Sequence, residues 1–378
     1  MSVPDELCDP HFWCDSTSFI TSSRLPPPEV AQPEPSLQGH VWFETSGSSG
    51  TPKWVALSKS AIQASATAVN QHLQVDTKST WGLALPINHV GGFSILARAH
   101  HARCQLSQYH GRWNPILFSE WLSSSGVTHT SLVPTQVHDL VAQQLRAPHK
   151  LIALVVGGGH LSPSCGQAAR ALGWPVLASY GMTEAGSQIA TQPLSALEQP
   201  FTPSPIPVLP IWQTRVQANG CLDIRSAALC SGWFAYDGGQ WQYTPITHAW
   251  HHTQDRVQIT QDGIVPLGRA DGWIKILGEL VSPEAIEREI YDLSNHSLNP
   301  ANFVIIPVPN ARAEHTLQPV VSDSLDPALI SHVLEQYHQT ALGYQRLSQP
   351  ITMRPFPVSD LHKPLRQAIQ QWALQQLA

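Results

Sequence analysis

A hydroxyl-rich loop near the start of the sequence carries residue types that suit a polyphosphate ligand. The segment TSGSSGTPK, Thr45 to Lys53, combines hydroxyl side chains, two glycines and one lysine. Backbone N–H groups and hydroxyls of such a loop can surround phosphate oxygens, while the lysine adds positive charge. The spacing is not that of a Walker A motif, because Trp54 follows the lysine. We expect the loop to join a strand, HVWFET, to a helix, KSAIQASATAVNQHL, where phosphate loops belong; the alternative is a plain Gly/Ser linker.

Polar residues also follow two later strands of the predicted core. The segment YGMTEAGSQ, Tyr180 to Gln188, comes directly after the apolar run PVLAS. Ligands bind at the carboxyl ends of strands in open α/β sheets. An aromatic ring, a glycine, a hydroxyl and a carboxylate there could stack on a base, contact phosphate and bind magnesium. The alternative is an ordinary polar turn with a capping glutamate. Upstream, VVGGGH places three glycines at another strand end, where a flat ligand can approach the backbone.

Two segments near the end of the chain complete the set of candidates. GRADGWIKILGELVSPEAIE, Gly268 to Glu287, lies where the sequence pattern changes, and Ser282 with Pro283 predicts the start of a helix. SDLHKPLRQAI places Lys363 on a loop just before the last predicted helix. Taken alone, Lys363 would be a solvated cation without a role.

Composition excludes several classes of function. Of the 378 residues 42% are hydrophobic, 13% are charged and the formal net charge is −6, and no basic run indicates a nucleic-acid partner. No apolar run reaches the roughly 18 residues of a membrane span, and the N-terminus lacks the pattern of a signal peptide. Six cysteines without CxxC spacing indicate reduced thiols in the cytoplasm. Nineteen histidines show no HExxH motif, so we expect no histidine metal site.

The order of apolar runs predicts an α/β fold in several parts. Residues 1–38 are rich in Pro and Ser and are expected to form an extended lead-in. Residues 39–268 are expected to form a large domain, with a mostly parallel sheet covered by helices and then an antiparallel β region after about residue 205. Residues 269–378 are expected to form a small α+β domain.

The four candidate segments, in this order, resemble the signature segments of the adenylate-forming superfamily, which includes acyl-CoA synthetases, peptide-synthetase adenylation domains and luciferases. The resemblance extends over residues 41–370. It implies that a carboxylic acid is activated with ATP and Mg²⁺ to an acyl-adenylate, and that the acyl group is then passed to a thiol such as that of CoA. It also implies a fold with a large AMP-binding domain and a small, mobile C-terminal domain.

The resemblance implies roles for the residues that match the family's motifs. The β- and γ-phosphates of ATP are implied to contact Thr45, Ser46, Gly47, Ser48, Ser49, Gly50, Thr51 and Lys53. The rest of the nucleotide is implied to contact Gly158, Gly159, Tyr180, Gly181, Thr183, Asp255 and Arg269. Glu184 is implied to bind Mg²⁺, Lys363 to contact the substrate carboxylate and the α-phosphate, and Asp271 to lie at the hinge of the small domain.

The sequence departs from the family's pattern at two points. The usual TGD around the ribose-binding aspartate is TQD here, with Gln254 in place of glycine. The phosphate loop, which normally lies much further into the chain, begins at Thr45. Much of the usual first subdomain is therefore expected to be absent, and either association between copies of the chain or the lead-in would cover the face that this leaves open.

The segment LPINHVGGFSILARA, Leu85 to Ala99, matches the family's acyl pocket. With HVGG it is closer to CoA ligases than to peptide synthetases, and the acid is implied to contact His89, Arg98 and Gly157, with His89 also catalytic. This segment, THTSLVPTQV and YGMTEAGSQIAT most resemble the o-succinylbenzoate–CoA ligases of menaquinone and phylloquinone synthesis. Their substrate is a dicarboxylate, so Arg98 would pair with its second carboxylate; the alternative is an exposed arginine on the outer face of a helix.

Three other functions remain open at this point. A CoA ligase for another aryl or medium-chain acid would share every residue above except the role of Arg98. A peptide-synthetase-type domain would need a carrier protein, and the chain shows no carrier segment. A truncated relative that binds nucleotide without turnover fits the short N-terminus and Gln254, but the presence of both Glu184 and Lys363 speaks against it.

Overall fold

The computed structural model describes residues 3–22, 26–46, 52–310 and 312–377. The helices α1 to α10 are Asp5–Cys8, Pro28–Ala31, Lys59–His72, Val90–Ala102, Pro115–Ser125, Pro134–Ala142, Pro163–Ala171, Pro283–Leu293, Pro327–Thr340 and Arg366–Leu377. The strands β1 to β20 are Phe19–Ile20, His40–Ser46, Pro52–Ser58, Thr80–Leu83, Gln105–Gln108, His129–Leu132, Ala153–Val156, Val176–Met182, Ser187–Thr191, Gln213–Val216, Cys221–Arg225, Gly232–Asp237, Gln240–Pro245, His251–Thr260, Gly263–Arg269, Ile274–Ile276, Glu279–Val281, Phe303–Asn310, Glu314–Ser322 and Ile351–Met353. Within these ranges no helix combines the length and apolar character needed to cross a membrane.

Six strands form a central sheet in the order β5-β4-β6-β7-β8-β9. The pairs from β5 to β8 are parallel, and β9 pairs with β8 in the antiparallel sense. Every residue of β4, β6 and β7 is buried, as in parallel sheets that helices cover on both faces. The prediction of an α/β fold with a mostly parallel sheet is confirmed. The carboxyl ends of β6, β7 and β8 meet at one edge, which places the candidate segments after them side by side.

Local sequence explains where several helices begin. In each case a polar side chain accepts a hydrogen bond from a backbone N–H of the first turn, and proline, which needs no donor there, comes next. These cap and proline pairs are Asn114–Pro115, Ser162–Pro163, Ser282–Pro283 and Asp326–Pro327. The predicted start of a helix at Ser282 and Pro283 is confirmed.

The hydroxyl-rich loop connects two strands, so the prediction that it leads into a helix is wrong. Strands β2 and β3 pair as an antiparallel hairpin, with Thr45 opposite Lys53. The run WVAL after the lysine belongs to β3, which pairs with β2 along one edge and with β12 along the other. All four of its side chains are buried, so both faces of the strand are covered. The helix α3 begins only after this strand. Gly47, Ser48, Ser49, Gly50 and Thr51 lie outside the described residues.

A second group of strands follows the central sheet. Strands β10, β11, β14 and β15 form an antiparallel sheet, and its last pair places Asp255 opposite Arg269. The change to antiparallel strands after about residue 205 is therefore as predicted. This pairing brings two candidate residues together that are separated by a turn in sequence.

The C-terminal part has its own sheet and cores. Strands β18, β19 and β20 form the sheet, and α8, α9 and α10 pack near it. The sequence analysis misses β19, which pairs along the whole of β18. One hydrophobic core runs from Leu7 to Ile264, and further cores begin at Ile276. The gap between these cores contains the predicted boundary after residue 268, which stays a prediction.

The lead-in, residues 1–38, is expected to be extended, but some of its side chains are part of the large hydrophobic core. Leu7, Phe12 and Trp13 are buried in the same cluster as the central sheet. Trp13 contacts Phe93 of α4 with ring centroids 5.9 Å apart and stacks on His100 at 5.5 Å. The aromatic residues therefore pack on the helix that also carries Arg98.

Replacing Trp13 is expected to destabilise the fold. Because Trp13 fills part of the core, Trp13→Ala should lower the free energy of unfolding by about 3–5 kcal/mol, measured by urea denaturation. The exposed neighbour Cys14 provides the control, and Cys14→Ala should change this free energy by less than about 0.5 kcal/mol. Equal midpoints for the two variants would mean that the lead-in does not belong to the core.

Candidate active site

A pocket of about 220 Å³ opens at the carboxyl ends of β6, β7 and β8. Residues from four candidate segments line it, including His89, Gly157, Gly158, Gly181, Thr183 and Lys363. The structure thus brings together residues that lie nearly three hundred positions apart in sequence.

Lys363 reaches this pocket from the C-terminal part of the chain. Its loop is closed by hydrogen bonds from Ser359 N to Lys363 O at 2.8 Å and from Lys363 N to Ser359 Oγ at 3.2 Å. The side chain lies over Gly158, where an added Cβ would stand 3.1 Å from Lys363 Nζ. Burial lowers the pKa of the Lys363 ammonium, and Glu284 partly opposes this. Lys363 is therefore not the solvated cation that the sequence alone suggests.

His89 lines the same pocket. Burial lowers the pKa of its imidazole, and the charge of Lys363 lowers it further, while Asp360 opposes the shift. The ring is therefore neutral at neutral pH. A neutral imidazole can accept a proton from a bound group.

Three residues of the nucleotide motifs form one hydrogen-bonded group. Tyr180 Oη donates to Asp255 Oδ2 at 2.7 Å, and Arg269 Nη1 donates to Asp255 Oδ1 at 3.3 Å. Arg269 also holds Asp271 through two hydrogen bonds of 2.9 Å. Burial raises the pKa of Asp255, whereas Tyr180 and Arg269 lower it. The group connects the central sheet to the predicted hinge, and Gln254 is exposed beside it.

Lys53 and Glu184 form an ion pair next to the pocket. Lys53 Nζ donates to Glu184 Oε1 at 2.5 Å and lies over the ring of Trp233, 4.7 Å from its centroid. Burial raises the pKa of Glu184, but Lys53, a backbone hydrogen bond and His251 together lower it, so the net pKa is below its ordinary value. The carboxylate is ionised and offers a hard oxygen to a magnesium ion. No group of three or more His, Cys, Asp or Glu within the described ranges could hold a metal by itself.

Three further residues that the resemblance assigns to nucleotide binding are Thr45, Ser46 and Gly159. Thr45 Oγ1 donates to Lys53 O at 3.4 Å across the hairpin. Ser46 ends β2, and Gly159 packs against Pro134.

Arg98 is fully buried, so the alternative of an exposed arginine is wrong. Its guanidinium is 0% exposed, lies over Trp81 at 5.3 Å, and donates from Nη2 to Ser187 Oγ at 3.2 Å. Nε and Nη1 are buried without a hydrogen-bond partner among the described residues. Burial lowers the pKa of Arg98 to about 9. A buried cation without an anion is costly, so this site favours a ligand that carries one.

Several polar residues of the pocket were not singled out from the sequence, among them Ser131 and Ser187. Ser131 lines the pocket, and its buried Oγ has no hydrogen-bond partner within the described part of the chain. Ser187 lines the pocket as well, with φ of 118°, and connects it to Arg98. A hydroxyl inside the fully buried strand β6 was the available signal for Ser131. Nothing in the sequence indicates the backbone conformation of Ser187.

Comparison of the sequence with known proteins places this site in a family. The family model described as AMP-binding enzyme matches residues 19–217, more than half of the chain. The chain is similar to the 2-succinylbenzoate–CoA ligase of Escherichia coli (strain K12), with 28% identity over 335 residues, which cover 88% of this chain and 68% of the relative. Its similarity to the enzyme of the same name from Salmonella typhimurium (strain LT2) is 29% over 334 residues, which cover 87% and 68%.

Solved structures agree with the fold. A single-residue variant of E. coli MenE with bound OSB-AMS has a TM-score of 0.69 and 25% identity, covering 89% of this chain and 69% of the other. The o-succinylbenzoate CoA synthetase of Bacillus subtilis in complex with the acyl-adenylate OSB-AMP has a TM-score of 0.74 and 20% identity, covering 87% and 68%. The same enzyme with ATP and magnesium has a TM-score of 0.70 and 20% identity, covering 86% and 69%.

Proposed function

The chain belongs to the family of AMP-binding enzymes, and we propose that it is an acid–CoA ligase that acts on o-succinylbenzoate with ATP. The succinyl carboxylate is converted to an acyl-adenylate and then to a CoA thioester, a step of menaquinone or phylloquinone synthesis. The names of the curated relatives support this reaction. The observation that carries the choice of acid is the buried and unpaired guanidinium of Arg98.

The substrate's second carboxylate explains the surroundings of Arg98. An arginine inside the protein needs a counter-ion, and the benzoate carboxylate of o-succinylbenzoate would supply it. Arg98 is fully buried and is not itself among the described residues that line the pocket, but its Nη2 donates to Ser187 Oγ at 3.2 Å. Ser187 and Ser131 line the pocket and can donate hydroxyl hydrogen bonds to the same anion. The succinyl carboxylate is then proposed to contact Lys363 and Thr183, which also line the pocket. A monocarboxylate would leave the guanidinium with its hydrogen bond to Ser187 but without a counter-ion.

The first half-reaction needs charge stabilisation more than proton transfer. The succinyl carboxylate is already ionised, so its oxygen can attack the α-phosphorus without a base. The new C–O–P linkage forms as the bond between the α- and β-phosphates breaks, and pyrophosphate leaves with that electron pair. Lys363 faces the position of the developing charge and lowers its energy. Lys53 and the hydroxyl-rich loop are proposed to bind the leaving pyrophosphate.

The second half-reaction transfers the acyl group to sulfur. The CoA sulfur attacks the acyl carbon, the C–S bond forms, and AMP leaves with the electrons of the C–O bond. His89 is neutral at neutral pH and lines the pocket, so it is the residue that would accept the thiol proton.

The ionised carboxylate of Glu184 is the group that would hold magnesium, as the chemistry of its oxygen donors and its low pKa fit a hard cation. When bound, Mg²⁺ neutralises negative charge on the polyphosphate. Tyr180, Gly158, Gly159 and Asp255 are proposed to hold the base and the ribose. Arg269 orients Asp255, and Asp271 is proposed as the hinge of a small domain that begins at residue 269.

The partners of this reaction are small molecules. The acid, ATP and CoA are the proposed ligands, with no role for nucleic acid. We also propose a cytoplasmic location, which fits the six free cysteines. Association between copies of the chain stays a proposal, to be measured by light scattering.

A panel of acids tests the proposed function. Purified protein is given ATP, Mg²⁺ and CoA with o-succinylbenzoate, benzoate or hexanoate, and the products are identified by mass spectrometry. The proposal predicts o-succinylbenzoyl-CoA and AMP, with turnover of the other acids at least about 10²-fold lower. Turnover of a monocarboxylate alone would favour a CoA ligase for another acid. ATP binding without product from any acid would favour a non-catalytic relative.

A further inference from the structure

A polar contact joins the large part of the chain to the C-terminal part at a distance in sequence from the known motifs. Asn299 Nδ2 donates to Asp139 Oδ1 at 3.2 Å. The other carboxylate oxygen of Asp139 accepts from Trp113 Nε1 at 2.8 Å. One carboxylate oxygen of Asp139 is therefore held by the large part of the chain, and the other binds the C-terminal part. We call the residues Asp139, His138, His160, Asp292, His296 and Asn299 the docking contact.

Histidines from both parts of the chain surround this hydrogen bond. His160 Nε2 lies 3.7 Å from Asp292 Oδ1, and His138 Nδ1 lies 3.8 Å from Asp139 Oδ1. Four ring nitrogens are buried without hydrogen-bond partners among the described residues: both of His138, Nε2 of His160 and Nδ1 of His296. The cavity between these rings, about 10 Å³, has room for about one water molecule.

The docking contact contributes little stability for the number of residues that it brings together. Each buried polar atom without a partner opposes the association of the two surfaces. The Asn299–Asp139 hydrogen bond, at 3.2 Å, is a direct polar link in this contact, whereas the four ring nitrogens have none among the described residues. A contact of this strength can hold the C-terminal part against the large part and can also break.

The docking contact is connected to the position of Lys363. His160 follows Gly157, Gly158 and Gly159 directly in the chain. Lys363 Nζ lies over Gly158. The C-terminal part therefore touches both ends of one short segment, with Lys363 at the glycines and Asp292 at the histidine. Loss of contact at His160 would allow Lys363 to move away from the glycines.

We propose that the Asn299–Asp139 hydrogen bond is a positioning interaction that keeps Lys363 in the pocket during acyl-adenylate formation. It has no corresponding role when CoA attacks a finished adenylate, since Lys363 has then completed its part. This inference rests on the proposed function and adds to it a role for residues outside the pocket. Asn299 and Asp139 act through Lys363 and touch neither substrate.

The test uses an isosteric change at Asn299. Asn299 Oδ1 accepts from Ala301 N at 2.8 Å, and a carboxylate keeps this acceptor. Asn299→Asp therefore preserves the local turn but replaces the donor with an anion that faces Asp139. We expect ATP–pyrophosphate exchange with o-succinylbenzoate to fall about 10- to 100-fold, because a hydrogen bond becomes a repulsion. Formation of thioester from supplied o-succinylbenzoyl-adenylate and CoA should change by less than about two-fold.

Two further variants separate positioning from a loss of structure. Asp139→Asn combined with Asn299→Asp moves the donor to the other side and should restore exchange to within about three-fold of the native rate. Asn310→Asp adds the same charge at an exposed site of the C-terminal part and should have no effect on either half-reaction.

The possible outcomes are distinct. Selective loss of exchange with rescue by the double variant supports the inference. Equal loss of both half-reactions, unchanged exchange in Asn299→Asp, or failure of the double variant to recover would overturn it. Absence of exchange in the native protein would instead contradict the proposed function itself.

Discussion

Lys363→Ala is expected to lower ATP–pyrophosphate exchange with o-succinylbenzoate by about 10²–10³-fold. The ammonium is buried over Gly158 at the pocket. In the proposed reaction it stabilises the charge that develops as the carboxylate attacks the α-phosphate. No other residue approaches the pocket from the C-terminal part with a positive charge, among those that the structure describes. The measurement is isotope exchange between pyrophosphate and ATP.

The selectivity of the Lys363 effect is as informative as its size. Thioester formation from supplied o-succinylbenzoyl-adenylate should stay within about three-fold of the native rate, because the phosphate is already transferred. Lys150 is exposed and distant from the pocket, so Lys150→Ala serves as the control for loss of a lysine. A variant that loses both half-reactions equally would show that Lys363 supports the fold and not the first chemical step.

Arg98→Met is expected to remove discrimination between a dicarboxylate and a monocarboxylate. The native enzyme should prefer o-succinylbenzoate to benzoylpropionate, which has the same skeleton without the ring carboxylate. In the variant, kcat/KM for o-succinylbenzoate should fall by about 10²-fold or more, because a buried charge pair loses one partner. For benzoylpropionate kcat/KM should change by less than about five-fold. Steady-state kinetics with the two acids measures both values.

The same substitution makes a second prediction, for stability without substrate. Arg98 is buried and has two unpartnered nitrogens in the described part of the chain. Burial of a charge without a counter-ion is costly, so an apolar side chain of similar length removes that cost. The free energy of unfolding of Arg98→Met should therefore be equal to or higher than that of the native protein. The exposed Arg112 gives the control, Arg112→Met. Loss of stability with unchanged acid preference would assign Arg98 to the fold alone.

The sequence predicts the parts of this site that strand ends supply. The glycines after β7 and the segment from Tyr180 to Glu184 come directly after apolar runs, and parallel strands bring their ends to one edge. Because this geometry follows from the fold class, the residues could be placed before any contact was known.

Other features depend on packing between distant elements. In α4 the residues from Gly92 to Ala99 are all buried, so no polar face distinguishes the environment of Arg98. The run WVAL fits a strand or a helix equally by composition, and its pairing with β12 decides between them. Pro and Ser in the lead-in obscure Phe12 and Trp13, which are buried in the large core, where Trp13 packs against Phe93 of α4. The docking contact could not be predicted either, since it joins residues 160 positions apart.

A single-turnover experiment tests the central claim most directly. Excess protein is mixed with ATP, Mg²⁺ and o-succinylbenzoate without CoA, and the products are separated before and after CoA is added. We predict o-succinylbenzoyl-adenylate and pyrophosphate in the first stage, and their conversion to o-succinylbenzoyl-CoA and AMP in the second. Formation of ADP and phosphate, or unchanged ATP in both stages, would contradict the assignment.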